Sequence, residues 1–564
     1  MSLATAELPS DPDALRAFAA ALQAELYAKT LHIEKLKAQL ATLRRARFGQ
    51  SSEKLDRQID LLELIIGDLE EAEAASEARH DATAAMPGAM PAPTRPQRVG
   101  NCRPLPDHLP REVITHAGVC ACPACGSERL RRISDDEREV LEYVPSHFKV
   151  VVHVRPKLSC RDCEAITQPT MPSLPIERGR PGQRLIAHVL VSKYCDHLPL
   201  NRQSGIYARE GVELDRSTLA DWVGRAAWLV APVAERIGDY ARAGPAIHAD
   251  DTPIPVQDPG RGRTKSGRLW VVVRDEGTWG SPNPPAAFYR YSPDRKGEHA
   301  HALLARASGF LHADAYAGFD KLYEPDPITG RPRLEPVACW AHARRELFDE
   351  HAKTKSPIAR QALDKIGAIF AVERDINGRS AEVRLAVRQA QSVPLLADLK
   401  NHLEASLGRI SRKGDLAKAI RYSLNRWEAL CRFTQDGRLE MTNNAAERAI
   451  RPLTLGRRNW TFLGSDSGGE RAAVFYTLIQ TCLCRARHKQ VYADRQTMPS
   501  ASSDHGGMKR FVRHFDREPV VDTRHSSHAQ RAFRNSRSRS FGRNRSAFAR
   551  SYGFNLPSAD SFSS

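Results

Sequence analysis

Two short cysteine pairs, Cys122-Pro-Ala-Cys125 and Cys160-Arg-Asp-Cys163, stand 34 residues apart. Together they supply four thiolates, the number that a closed tetrahedral zinc site takes. That constrains folding strongly, because whatever lies between must bring the knuckles together. The intervening REVLEYVPSHFKVVVHVRPKL reads as two strands that do so. Cys122, Cys125, Cys160 and Cys163 are therefore the expected ligands of a structural Zn2+, the other reading being two unrelated pairs. Cys120 lacks the paired spacing. The chain's eleven cysteines are odd in number and closely spaced, a usage that in a reducing compartment favours metal ligation over disulfides. A closed site has no open coordination position, so the chemistry must be sought elsewhere.

A chain of 564 residues is too long for one core. Its net charge of +17, from 84 Lys and Arg against 67 Asp and Glu, points to a polyanionic partner. Much of that charge is local. Residues 483–564 hold 16 basic and 6 acidic residues, but only six Leu, Ile or Val. Such a segment buries too little apolar surface to offset its ordering entropy, so a disordered basic tail is expected there, serving as an arm on phosphates or having no role. No apolar run is long enough to span a bilayer. The N-terminus lacks a basic segment followed by an apolar stretch, so a soluble, cytoplasmic chain is expected.

Near the N-terminus, Leu26, Ile33 and Leu40 repeat every seven residues, with Leu15, Leu22, Leu36 and Leu43 as a second seam broken by Lys29. This is the pattern of a coiled coil, or of a helix packed on its own domain. A second leucine-rich helix is expected from about Lys54 to Ala75, then an Ala/Pro linker. Residues 184–235 read as helices. LPLNRQSGIYARE, then Gly211, then a helix capped by Ser217, resembles a helix-turn-helix, although any packed helix pair shows the same pattern. Arg216, Ser217 and Thr218 would then reach DNA. From Ala246 the texture becomes β-rich: three strands, a helix, a fourth strand GFLHADAYAGF, and VACW leading into AHARRELFDEH. Strands and helices in that order indicate an α/β unit, interrupted by an almost wholly helical insert.

Asp250 lies within the first of these strands and Asp314 near the end of the fourth, with Glu447 on a later helix. Strand ends that neighbour one another bring such acids together. Like charges that close raise one another's pKa unless cations neutralise them. Two Mg2+ ions, or Mn2+, would do so through oxygen ligands and would suit phosphodiester displacement. Asp251 competes with Asp250; in a strand the two point to opposite faces, so one alone joins the site. Arg448, Arg451, Arg457 and Arg458 beside Glu447 suit phosphate contact, or are ordinary surface arginines. His342 and Arg344 read as supporting residues; Cys339 with His342 looks like a metal pair, but two ligands alone are usually packing.

Several stretches together resemble the transposases of insertion-sequence family 66: RRARFGQSSEKL, CPAC with CRDC, HADDTP, ADAYAGFDKLYE, VACWAHARREL and MTNNAAERAIRPLTLGRRNWTFLGSDSGGERAA. They cover roughly residues 15–482. The resemblance implies a ribonuclease-H-like core with Asp250, Asp314 and Glu447 as catalytic acids. It also implies an N-terminal multimerising helix, a zinc module and a helix-turn-helix for the element's terminal repeats. Asp251 stands where the family usually has Glu. After Thr481 the family continues with Asn-Gly-Val-Asp-Pro and an amphipathic helix; this chain reads LCRARHKQVYADRQTMPS instead, as a frameshift would produce.

The expected architecture is multidomain α+β and α/β. Coiled-coil helices over 11–76 precede a linker at 77–111, a zinc-ribbon-like module at 112–170 and a helix-turn-helix at 171–242. A catalytic domain follows at 243–482, with a helical insert at about 350–436, and then the tail at 483–564. The expected activity is metal-dependent DNA cleavage and strand transfer by a homo-oligomer near the nucleoid, with companion proteins of the same element. A zinc-containing DNA-binding regulator without catalysis accounts for the residues up to 240 but leaves the acidic, strand-rich half without a purpose. A simple nuclease differs by releasing product without joining it.

Overall fold

The computed structural model describes residues 28, 31–40, 53–84, 104–176, 179–258, 263–314, 316–327, 330–460 and 462–497. Heptad positions Leu15, Leu22, Leu26 and Leu43 and residues 498–564 lie outside this set. Helix α1 (Glu53–Ala84) runs beyond the expected linker start at residue 77. The reason is local: EARHDATA contains neither Gly nor Pro and is rich in good helix formers. Ile33, Leu36 and Leu40 pack against Ile65 and Ile66 of α1 and against Phe462. Within one chain, this part of the heptad seam is thus covered by the chain itself.

The zinc-module sheet consists of β1 (Arg111–Thr115), β2 (Leu130–Val144), β3 (His147–Cys160) and β4 (Ile166–Thr167). β2 and β3 form a long antiparallel hairpin whose register pairs Val144 with His147 at the turn and Leu130 with Cys160 at the open end. That register brings the two cysteine knuckles together, while β1 adds parallel to β3 and β4 antiparallel.

Three helices follow: α2 (Gln183–Tyr194), α3 (Leu200–Arg209) and α4 (Arg216–Arg242). Gly211, between α3 and α4, has φ +80°, and a Cβ there would lie 2.7 Å from His108 Nε2, so the turn requires glycine. Asp215, not Ser217, is the N-cap of α4, with extended φ −64° and ψ 146°. Both residue types suit a cap, and the backbone decides: Ser217 is already inside the helix. α1 lies across α4 so closely that a Cβ on Gly224 would sit 2.2 Å from the Glu71 carbonyl oxygen.

The central sheet comprises β5 (Ala246–Asp258), β6 (Arg263–Arg274), β7 (Ala286–Ser292), β8 (Gly309–Ala313) and β9 (Leu334–Ala338), in the order β7-β6-β5-β8-β9. β6 pairs antiparallel with both β5 and β7, whereas β5–β8 and β8–β9 are parallel. Parallel neighbours need a crossover, and α5 (Gly297–Leu303) lies in the one joining β7 to β8. Leu269 through Val273 are all buried, as expected of a strand covered on both faces. One face carries α4, α12 (Asn444–Trp460) and α13 (Asp466–Thr497) through residues such as Val223, Ile450 and Phe475. On the other, Trp270 meets Phe319.

Between β9 and α12 the chain makes a helical lobe: α6 (Trp340–Thr354), α7 (Pro357–Asp375), α8 (Ala381–Val387), α9 (Val393–Leu407), α10 (Asp415–Leu424) and α11 (Trp427–Cys431). Its core of Trp340, Leu347, Ile366, Leu399 and Phe433 continues to Leu439 and Met441, just before α12. α13 continues to Thr497, so residues 483–497 are helical rather than part of a structureless tail. Once a helix is nucleated, each further residue adds a bond, and LCRARHKQ contains no breaker.

Candidate active site

The parallel ladder between β5 and β8 pairs Ala246 with Phe310, Ile247 with Leu311 and His248 with His312. The offset is 64 residues, the same as the separation of Asp250 and Asp314. Both acids belong to a repeated His-Ala-Asp triplet and follow the last ladder pair by two residues in each chain segment, Asp250 still within β5 and Asp314 just past the end of β8. This repeat was visible in the sequence as HADDT and HADAY, and it is the signal that the sequence reading did not use.

The two histidines fix that alignment. His248 and His312 are buried and stack at 4.2 Å with 18° between planes. Burial lowers the pKa of His248 to about 4 and that of His312 well below the usual range, so both are neutral at pH 7. His312 Nδ1 faces the Ile247 carbonyl at 3.2 Å, and its Nε2 accepts the Glu440 N–H at 2.9 Å. His248 Nδ1 meets Asn443 Oδ1 at 3.1 Å, while Asn443 Nδ2 donates to the Ala249 carbonyl at 2.9 Å.

Asn443 also starts α12: its carbonyl accepts the N–H groups of Ala446 and Glu447. One buried side chain therefore ties the strand residues before Asp250 to the helix turn that carries Glu447. Glu440 is held from the lobe. Arg384, itself buried, donates to Glu440 Oε1 at 2.6 Å, and Arg388 grips Glu373 with two bonds at 2.8 and 2.7 Å. Although burial works against its charge, the neighbouring Arg384 holds the Glu440 carboxyl down to about 2. The helical insert thus sets the approach to α12. Sequence reading missed His248, His312, Asn443 and this arginine pair as positioning groups.

Asp250 and Asp251 point to different partners. Asp251 is buried and paired with Arg268 and Arg295, each at 2.9 Å. Asp250 accepts the Asp251 N–H at 2.8 Å. Its carboxyl is pushed up to about 7, first by burial and then by the negative charges of Asp314, Asp251 and Glu447. Asp314 accepts the Tyr316 N–H at 3.1 Å and stands 3.7 Å from Arg295. A half-buried carboxyl crowded by like charges and offering oxygen donors fits a hard divalent cation. The three acids are electrostatic neighbours but do not form a tight trio. Among the described residues, the groups whose donor atoms all lie within 4.8 Å of one another are the four paired cysteines, Cys339–His342–Glu447 and Asp294–Glu298–His299. A pair of ions about 3.5–4 Å apart needs ligands spread more widely than a single ion does.

At the cysteine cluster, Cys122 Sγ stands 3.5 Å from Cys163 Sγ, and Cys125 Sγ 3.6 Å from Cys160 Sγ. Zinc–sulfur bonds of about 2.3 Å in a tetrahedron require edges of about 3.8 Å, so the cage fits zinc. Backbone N–H groups of Asp162 and Cys163 hold the Cys160 thiol down to about 6, favouring the thiolate that a metal needs. Cys120 is exposed and outside the cluster.

The expected DNA contacts are dispersed. Arg216 is paired with Glu70 of α1 at 2.8 Å, whereas Ser217 is exposed and Thr218 half-buried. Arg448 is exposed and 3.3 Å from Asp275, and Arg451 is exposed. The side chains of Arg457 and Arg458 lie outside the described set. No described helix is long and apolar enough to cross a membrane.

Comparison with known proteins matches three family models along the chain. Residues 178–471 match the family model described as Transposase IS66 family. Residues 120–164 match the zinc-finger binding domain of transposase IS66, and residues 35–114 the model described as Transposase C of IS166 homeodomain. Three curated relatives, all from Sinorhizobium fredii (strain NBRC 101917 / NGR234), are described as uncharacterized proteins. y4hP is 40% identical over 79% of this chain and 82% of its own length. y4qI is 35% identical over 86% of this chain and 92% of its own. y4jD is 38% identical over 67% and 74%.

Proposed function

This chain belongs to the IS66 family of transposases, and from that premise we propose that it cuts DNA at the ends of its insertion sequence and joins the freed 3′ ends to a target. The observation that supports this reading is the in-phase β5–β8 ladder running up to Asp250 and Asp314, with Asn443 bonding β5 to the start of the helix that carries Glu447. Asp250, Asp314 and Glu447 would hold the divalent cations, two Mg2+ or Mn2+, which activate the attacking oxygen and stabilise the leaving oxygen in phosphodiester displacement. Asp251, committed to Arg268 and Arg295, braces the strand from its other face. The strand order, with β6 antiparallel to both its neighbours and β5, β8 and β9 parallel, supports a ribonuclease-H-like core.

In the same reading, the four-cysteine site holds a structural Zn2+. The helices α3 and α4 act as a helix-turn-helix on the terminal repeats, through Arg216, Ser217 and Thr218. Arg448, Arg451, Arg457 and Arg458 contact phosphates near the scissile bond. Seam positions other than the self-covered Ile33, Leu36 and Leu40 join copies into a homo-oligomer, and the chain works in the cytoplasm on nucleoid DNA alongside companion proteins of its element. The six segments drawn from the sequence serve as its functional divisions, with the helical and linker boundaries moved as described above.

The test is a strand-cleavage and joining assay on labelled element ends with Mg2+ or Mn2+. Wild type yields nicked and joined products, whereas Asp250→Asn, Asp314→Asn and Glu447→Gln yield neither. Binding without cleavage by the wild type would make the chain a regulator, and cleavage without joining a nuclease.

A further inference from the structure

The helices α6 and α12 meet end to end beside the acids, and their junction carries donors of a different kind. Cys339 is the N-cap of α6, where its buried sulfur accepts the Asn443 N–H at 3.2 Å. His342 lies one turn on, in the first turn of the same helix, so its ring rises over the same face. Glu447 occupies the first turn of α12. The Trp340 N–H donates to the Met441 carbonyl at 3.0 Å, locking the two helix starts together. One donor atom from each of Cys339, His342 and Glu447 lies within 4.8 Å of the other two.

Two of these atoms have nothing to bond to. His342 Nδ1 and Glu447 Oε1 face each other at 3.9 Å, beyond hydrogen-bond reach. Both are buried without a hydrogen-bond partner. Orphaned buried polar atoms are costly, and here a nitrogen, an oxygen and a sulfur converge on the same gap. We propose that Cys339, His342 and Glu447 form a cation site for a borderline divalent ion, Zn2+ or Co2+, in addition to the four-cysteine centre.

The donor chemistry selects the ion. Thiolate, imidazole and carboxylate are the ligand types of zinc, and three protein ligands leave a fourth position open to water or substrate. Mg2+ takes oxygen ligands and would gain nothing from the sulfur. Burial holds the Cys339 thiol up, so it gives its proton to solvent only as the cation binds, the metal's charge stabilising the thiolate. The inference rests on the proposed function only in that Glu447 would serve both this ion and the acids' side of the cleft.

The experiment is a Co2+ titration of the full chain loaded with one Zn2+ per chain, enough for the four-cysteine centre alone, followed by its sulfur-to-cobalt absorption. The Cys339→Ser variant, whose four-cysteine centre is intact, supplies the baseline. Wild type is expected to show an additional band that saturates at one Co2+ per chain. Cys339→Ser loses that band, and His342→Ala binds Co2+ at least tenfold more weakly. Cys339→Asp, which keeps a donor at the position, retains binding without the band and shifts preference toward Mn2+; this keeps the test sound if the serine variant folds poorly. Superimposable wild-type and Cys339→Ser spectra, or unchanged affinity in His342→Ala, overturn the site. Asp250→Asn is expected to keep the band. Asp250-dependent cleavage without a Cys339-dependent band refutes this site and leaves the transposase reading standing; a Cys339-dependent band in a chain that cuts no DNA does the reverse.

Discussion

Replacing Asn443 by alanine removes the side chain that bonds β5 while keeping the backbone carbonyl that begins α12. In the native protein its amide meets His248 Nδ1 at 3.1 Å and donates to the Ala249 carbonyl at 2.9 Å, and the residue is fully buried. Truncation leaves a buried imidazole nitrogen and a buried carbonyl unpaired, each costing about 1–3 kcal/mol, so a loss of about 2–6 kcal/mol is expected. The functional loss should be larger than stability explains. Glu447 is one turn downstream of Asn443, and a displacement of about 1 Å at a reacting group costs about 100-fold in rate. Urea unfolding followed by tryptophan fluorescence reads the first effect, at unchanged slope against denaturant. Cleavage of element ends well below the unfolding midpoint reads the second. If Asn443→Ala loses less than about 0.5 kcal/mol, the two bonds contribute no more than a surface contact and the positioning argument fails. If it loses stability but cleaves at the native rate, Glu447 is held by something else.

Other outcomes follow from the same contacts. Glu440 has a carboxyl lowered from 4.5 to about 2. Its contribution is therefore full above pH 4.5 and lost as pH falls through 2, a change of about 3 kcal/mol. Acid unfolding of Glu440→Gln should lack that slope, and an unaltered acid transition would contradict the assignment. Cys160→Ser should bind one zinc fewer per chain by elemental analysis and make the β2–β3 hairpin sensitive to protease; an unchanged zinc content would reject the cage. Glu70→Gln should release Arg216 and tighten binding of terminal-repeat DNA two- to tenfold, whereas Arg216→Ala weakens it, as read by fluorescence anisotropy. Equal affinities in all three proteins would remove Arg216 from the DNA-binding surface.

The parts of this chain legible from sequence are those where local chemistry speaks alone. Four cysteines at fixed spacing announce a cage, and the run RLWVVVRD announces a buried strand. The helical texture of the insert is visible in its composition. Asp250 and Asp314 were picked out from their strand context. The register of the two strands that lead to them, 64 residues apart, is a tertiary fact that left only the repeated His-Ala-Asp as a trace. Glu447 reaches the site through Asn443, Glu440 and the buried arginines of the lobe, and no local pattern marks Arg384 or Arg388 as interior. Buried charges look like surface charges until their partners are known. The N-cap of α4 shows the same limit on a small scale: Asp215 and Ser217 suit it equally, and packing decides between them.

The measurement that bears most directly on the three acids uses Fe2+ in place of the catalytic cation. With ascorbate and peroxide, the bound iron cuts the polypeptide beside its own ligands, without any DNA present. The account predicts fragment ends clustered near residues 250, 314 and 447, suppressed by excess Mg2+ and absent in Asp314→Asn. Cuts confined to the neighbourhood of Asp294 and Glu298, or a pattern indifferent to Mg2+ and to the Asp314 substitution, would contradict it.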